Sequence, residues 1–165
     1  MDNEILEQLY CKYYGAAYAY CVTLCGNPHL AQDIVADAFV KACLSLPNDT
    51  PSFRYWLLRV CRNLWIDHCR KLQYVTSEEA LYDLSDGHTL ENEYLQKEQH
   101  QALWKALRTL SPTDRELVVL HYFSELSLQE IAPILNVSYS AARQRLSRLR
   151  KKLKQQMEEQ GYGKY

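Results

Sequence analysis

The sequence has little of what interrupts a helix: five glycines and five prolines in 165 residues. Glycine and proline are the strongest local punctuators of regular structure. Their scarcity argues against many short strands joined by tight turns. Period-two alternation of apolar and polar residues is also hard to find, whereas apolar residues recur at spacings of three and four almost throughout. The predicted class is therefore all-α. No apolar run approaches the roughly 18–20 residues that cross a bilayer. The opening "MDNEILEQLY" lacks the basic start and apolar core of a secretory signal. These two absences predict a cytoplasmic chain with no membrane insertion. There is no glycine-rich phosphate loop and no conspicuous Ser-His-Asp pattern, so no catalytic constellation is expected.

Cysteine, by contrast, is present six times, as Cys11, Cys21, Cys25, Cys43, Cys61 and Cys69, all in the first half. In a secreted chain this would suggest a disulfide framework. In the cytoplasm thiols stay reduced, and a free cysteine packs as a small hydrophobe. Cys21 and Cys25 lie one turn apart, and His29, His68 and Cys69 are conceivable neighbours in a zinc or redox site. Core packing is the preferred reading, with no metal and no cofactor.

The organisation reads as two small helical domains and a flexible acidic join. Residues 1–73 carry three or four helices. One runs from about Glu4 to Leu24 and ends at Gly26. Asn27 suits the N-cap of the next and Pro28 its first position, and Leu30, Ile34, Ala38, Ala42 and Leu46 then line one face. "PNDTPS" breaks the pattern, and a third helix follows from about Phe53 to Leu72, with Trp56, Val60 and Leu64 recurring along it. Residues 74–94 form the predicted linker. From Glu78 to Glu98 the acids Glu78, Glu79, Asp83, Asp86, Glu91, Glu93 and Glu98 meet a single base, Lys97. The third part, residues 95–165, includes the amphipathic "ALWKALRTL" and a Ser-Pro helix start at Ser111.

The stretch "LSLQEIAPILNVSYSAARQRLSRLRKKLK", residues 126–154, is where positive charge concentrates. Arg143, Arg145, Arg148, Arg150, Lys151, Lys152 and Lys154 crowd its end with no acid among them, although the chain's net charge is −1. Ser127 and Glu130 make a capping box at a helix start. Pro133 falls inside that helix and predicts a mild kink. "NVS" makes a tight turn, and Ser138 can cap a second helix whose stripe is Ala142, Leu146, Leu149 and Leu153. At 100° per residue Ser140, Gln144, Ser147, Arg148 and Lys151 point away from that stripe, with Arg143 and Arg145 flanking it. A capped helix, a short turn and a helix with an exposed basic face form a helix-turn-helix. Arginine and glutamine can read base edges, and serine and lysine suit phosphates.

The segment "LRTLSPTDRELVVLHYFSELSLQEIAPILNVSYSAARQRLSRLRKKL" resembles region 4 of bacterial RNA polymerase sigma factors of the extracytoplasmic-function group. "LAQDIVADAFVKA" resembles the polymerase-binding helix of region 2. "FRYWLLRVCRNLWIDHCRK" resembles the helix that melts and reads the minus-10 element. The resemblance covers nearly the whole chain except the linker, with both matches in the correct order. It implies a non-catalytic initiation subunit that directs core RNA polymerase to a narrow set of promoters. It assigns minus-35 recognition to Ser140, Arg143, Gln144, Arg145, Ser147, Arg148 and Lys151. Minus-10 recognition falls to Phe53, Arg59, Arg62, Asn63 and Asp67, with residues 46–53 forming a base pocket. Core polymerase binding falls to Asp33, Ala36, Asp37 and Val40. The implied partners are the clamp helices of the largest polymerase subunit, the flap of the second largest, promoter DNA and an anti-sigma factor. The chain departs from the family pattern in having Ala36-Asp37 for the common Gln-Glu, and Ser140-Ala141-Ala142 for the common Gly-Thr-Val. The loop before Phe53 also lacks the frequent Phe-Arg-Gly. Two rival readings remain: a stand-alone helix-turn-helix regulator with a cysteine-based redox or metal sensor, and a metal-dependent enzyme built on the Cys and His residues.

Overall fold

The computed structural model describes residues 1–73, 102 and 105–161. They form two compact units, and the predicted acidic linker lies outside the described residues. Among the described residues there is no strand, and no helix is long and apolar enough to cross a membrane.

The first unit is three helices, α1 (Asn3–Cys25), α2 (Pro28–Ser45) and α3 (Phe53–Gln73), each packed on the other two. Gly26 ends α1 in the left-handed region, φ 67°, and donates its N–H to the Val22 carbonyl; a residue without Cβ takes that conformation at little cost. The next two residues start α2. The Asn27 side chain accepts from the amides of His29 and Leu30 at 3.0 and 3.2 Å. Pro28 occupies the first position, where its missing donor costs nothing. Small residues fill much of the interface: Ala17, Cys21 and Cys25 from α1, Ala31, Ala38 and Ala42 from α2, and Cys61 from α3 are all buried. Of the stripe expected on α2, Ile34, Ala38 and Ala42 are buried while the end members Leu30 and Leu46 are half-buried. On α3 the buried face is turned from the expected one. Leu57, Leu58 and Cys61 lie inside, and Trp56, Val60 and Leu64 are half-buried. Because α3 packs on α1 and α2 together, it needs a face wide enough for both.

In the second unit, residues 105–108 are helical, and α4 (Pro112–Val118) follows, capped by the Ser111 side chain on the Asp114 amide. Arg115 returns to the preceding helical turn. Its Nε donates to the Leu107 carbonyl at 3.1 Å, and its Nη2 to those of Arg108 and Leu110 at 3.2 and 3.3 Å. One guanidinium thus satisfies carbonyls that a helix end leaves without intrahelical donors. After α4 the chain continues into a π-helical turn, Val119–Phe123, which the sequence pattern did not distinguish from plain helix. Then come α5 (Leu128–Leu135) and α6 (Tyr139–Glu159). Helices α4, α5 and α6 pack on one another around Leu117, Leu120, Ile131 and Leu146. Thr109 and Gln156 exchange side-chain hydrogen bonds, tying α6 to the turn before α4.

Candidate functional site

Local rules shape the hinge between α5 and α6. The Ser127 hydroxyl accepts the Glu130 amide at 3.2 Å, and a Glu130 carboxylate oxygen accepts the Ser127 amide at 3.2 Å, so two orphan donors are satisfied reciprocally. Pro133 removes a backbone donor, but it sits exposed and the helix runs on to Leu135. Asn136 then turns the chain at φ 55° and donates its N–H to the carbonyls of Ala132 and Pro133; asparagine is among the few side chains that enter this region readily. Ser138 restarts helix, accepting the Ala141 amide at 3.1 Å.

The consequence is a long α6 with two unlike faces. Ala142, Leu146 and Leu149 are buried and Leu153 is half-buried. Ser140, Arg143, Gln144, Ser147, Arg148 and Lys151 are exposed on the remaining surface. Arg145 differs: it is half-buried, and its Nε stands 4.0 Å from the Asp114 carboxylate. Arg150 also bonds within the unit. Its Nε donates to the Tyr122 hydroxyl, and its guanidinium carbon lies 5.8 Å from the Tyr122 ring centre. The structure therefore sorts the basic run. Arg145 and Arg150 are tethered to α4 and the π-helical turn, while Arg143, Arg148 and the terminal lysines are exposed. An exposed row of guanidinium, amide, hydroxyl and ammonium groups on one helix suits contact with base edges and phosphates.

The first unit carries two further faces. On α3, Arg59, Asn63 and Asp67 are exposed and Arg62 is half-buried. Positions 59, 63 and 67 follow one another at one-turn spacing, so they share a side. Asp67 is 3.7 Å from Arg70, an exposed pair of small energetic weight. Phe53 does not join this face. It is only 5% exposed, and its ring lies 5.6 Å from Tyr13, 6.0 Å from Phe39 and 5.9 Å from Trp56. The first residue of α3 thus anchors the preceding loop to the core.

On α2, Asp33, Ala36, Asp37 and Val40 are all exposed. One residue of this stripe escaped the sequence reading. Leu44 is 81% exposed, one turn beyond Val40, itself 56% exposed. The signal was the same spacing of three or four residues that links Asp33, Asp37 and Val40. Two large aliphatics left in water beside two carboxylates form a surface suited to an apolar and basic partner.

The cysteines mostly face inward. Cys21, Cys25 and Cys61 are buried, Cys43 and Cys69 half-buried, and Cys11 exposed. The Cys21 thiol is hydrogen-bonded with Cys61, which together with burial pushes its pKa well up. Burial pushes Cys25 up to about 11. Both thiols are thereby kept protonated, the opposite of what metal binding or nucleophilic attack requires. Among the described residues no group of three or more His, Cys, Asp or Glu side chains is placed to hold a metal ion.

Comparison with known proteins adds a family pattern to each unit. Residues 9–74 match Sigma-70 region 2, and residues 100–153 match Sigma-70, region 4. The ECF RNA polymerase sigma factor SigW of Bacillus subtilis is 30% identical over 169 residues, covering 94% of this chain and 90% of its own length. SigM of the same organism, also an ECF RNA polymerase sigma factor, is 27% identical and covers 90% of this chain and 93% of its own length. Among solved structures, the sigma factor RpoE of Bartonella quintana, crystallised with the anti-sigma factor NepR, superposes with a TM-score of 0.67 at 25% identity. It spans 92% of this chain and 96% of its own.

Proposed function

The chain belongs to the sigma-70 family, extracytoplasmic-function group, and from that premise we propose a division of labour among its exposed faces. It is a promoter-specificity subunit that binds core RNA polymerase and directs initiation at a limited set of promoters. The α6 face, with Ser140, Arg143, Gln144, Ser147, Arg148 and Lys151, reads the minus-35 element. Arg145 supports it from the side through Asp114. The α3 face, with Arg59, Arg62, Asn63 and Asp67, takes the minus-10 element, and the loop at residues 46–53, footed on Phe53, receives an unstacked base. Asp33, Ala36, Asp37 and Val40, extended by Leu44, grip the clamp helices of the largest polymerase subunit. The flap of the second largest subunit meets the second unit. Residues 1–73, 74–94 and 95–165 serve as binding-and-melting domain, linker and minus-35 domain. The polymerisation chemistry belongs to the core enzyme, so the chain itself is non-catalytic and works in the cytoplasm. An anti-sigma factor, the kind of partner NepR is to RpoE, covers these faces until initiation is needed.

The observation that carries this reading is the sorted charge of α6: a capped helix-turn-helix whose free cations and amide share one exposed face. Arg148 is exposed on that face and suits a bidentate contact to a guanine edge. Arg148→Ala should cost roughly 1–3 kcal/mol and relax the preference at one base pair. Lys151→Ala should weaken all sequences alike and lower the salt slope by about 1. Binding isotherms of holoenzyme on minus-35 variants across salt concentrations measure both. Wild-type preference and slope in both variants would remove α6 as the reader.

A further inference from the structure

We propose that Asp2 is a positioning residue for promoter reading: with Asn48 it clasps the loop between α2 and α3 into its base-receiving shape. The inference rests on the assignment of residues 46–53 to the minus-10 base pocket.

The clasp joins residues far apart in sequence. The Asp2 backbone N–H donates to the Asn48 side-chain oxygen at 2.7 Å, and the Asn48 amide nitrogen donates to the Asp2 carboxylate at 2.8 Å. One asparagine side chain thus uses both ends on one residue. Asp2 is also the N-cap of α1, where an aspartate ordinarily accepts an amide of its own helix. Here it makes no such bond; its carboxylate is committed to the loop instead.

The loop has reason to need an outside tie. It contains no regular structure between Ser45 and Phe53. Inside it, the Thr50 hydroxyl donates to the Pro47 carbonyl at 2.8 Å, and Pro47 and Pro51 stiffen the backbone. At its far end Ser52 is held at φ 56°, an unusual setting for a side chain other than glycine or asparagine, just before the buried ring of Phe53. The end that follows α2 has no equivalent anchor in the core: Leu44 and Ser45 are exposed and Leu46 only half-buried. Asn48 stands on that side, and the clasp ties it to the start of α1. Because both partners are exposed, the pair adds little to global stability. Its effect falls on the population of loop shapes, and hence on how readily a flipped base is received.

The geometry sets an order of effects. Asn48→Ala removes both hydrogen bonds. Asp2→Ala removes one and keeps the backbone donor. Asp2→Asn keeps an acceptor oxygen for the Asn48 amide while discarding the charge. The test uses the full chain with core polymerase on promoters carrying each base at the minus-10 positions, with permanganate footprinting of the melted strand. Discrimination between favoured and disfavoured bases should fall by about tenfold in Asn48→Ala and about threefold in Asp2→Ala, roughly one step per hydrogen bond lost. It should return to wild type in Asp2→Asn, with thermal midpoints and polymerase retention unchanged in all three. If Asp2→Asn behaves like Asp2→Ala, charge near the DNA is responsible and the clasp is overturned. A Pro47→Gly/Pro51→Gly variant, which loosens the loop from within, separates the two layers of inference. If it relaxes discrimination while the Asp2 and Asn48 variants do not, the clasp alone fails. If none of them changes discrimination, the loop is not the reader and the underlying assignment fails with it.

Discussion

Cys25 illustrates how burial, outweighing a hydrogen bond that acts the other way, tunes a side chain. Its thiol donates to the Asn27 carbonyl at 3.3 Å and sits 1% exposed at the joint where α1 gives way to α2. Burial lifts its pKa from 9.0 to about 11. The folded chain therefore keeps this proton over a pH range in which the unfolded chain releases it. The stabilising contribution is complete below pH 9 and is lost as pH rises from 9 to 11. Urea midpoints of wild type and Cys25→Ala, measured from pH 8 to about pH 11, should draw together through that window, because only the wild type carries the linkage. Alkylation at neutral pH should label the exposed Cys11 while sparing Cys21 and Cys25. Rapid labelling of Cys25 would contradict the buried placement.

For single elements, α5 offers the cleanest test. It has only eight residues, too few to persist alone in water. Its face of Ile131, Ala132, Ile134 and Leu135 is buried, so packing stabilises it while the Ser127–Glu130 box sets where it begins. Ser127→Ala removes the acceptor for the Glu130 amide and should cost about 1 kcal/mol. Hydrogen exchange of the Glu130 and Ile131 amides should accelerate accordingly, while amides in the first unit keep their rates. Equal protection in the variant would mean that packing alone places the helix start. Arg115 acts at a neighbouring joint in the opposite sense, finishing one helix rather than starting another. It gathers three carbonyls at once, and a lysine, with a single nitrogen, lacks the planar fork that reaches them all.

At the scale of the whole molecule, two compact units carry faces of opposite character: acidic and aliphatic on α2, basic on α6. The α2 stripe is the surface proposed above to hold core polymerase. Asp33→Arg together with Asp37→Arg should abolish retention by core polymerase, because reversing two exposed charges replaces attraction by repulsion against a basic partner. The fold should persist, since neither side chain is buried. Pull-down with core enzyme reads the first outcome and circular dichroism the second. Undiminished retention would move the main contact elsewhere. Leu44→Ser should give a smaller loss, as it removes apolar contact without adding repulsion.

The all-α class, the places where most helices start and stop, and the two-faced character of α6 were settled by the sequence itself. These follow from local physics: Gly26, Asn27 and Pro28, or Ser127, Glu130, Asn136 and Ser138, act on backbone groups within a few residues of themselves. The 3.6-residue period carries Arg148 and Lys151 away from Leu146 and Leu149 in any setting. Tertiary structure decided what depends on residues distant in sequence. Packing against two neighbours turned α3 so that Leu57, Leu58 and Cys61 went inside. Tyr13 and Phe39 captured the ring of Phe53. The π-helical turn arose where Ser124 bonds Val119 and His121 reaches the Leu126 carbonyl. Asp114 drew Arg145 aside, Tyr122 held Arg150, and Asp2 met Asn48 across 46 positions of chain. Periodicity specifies which way a side chain points from its own helix, but not which neighbour waits there, because that is set by how the helices pack.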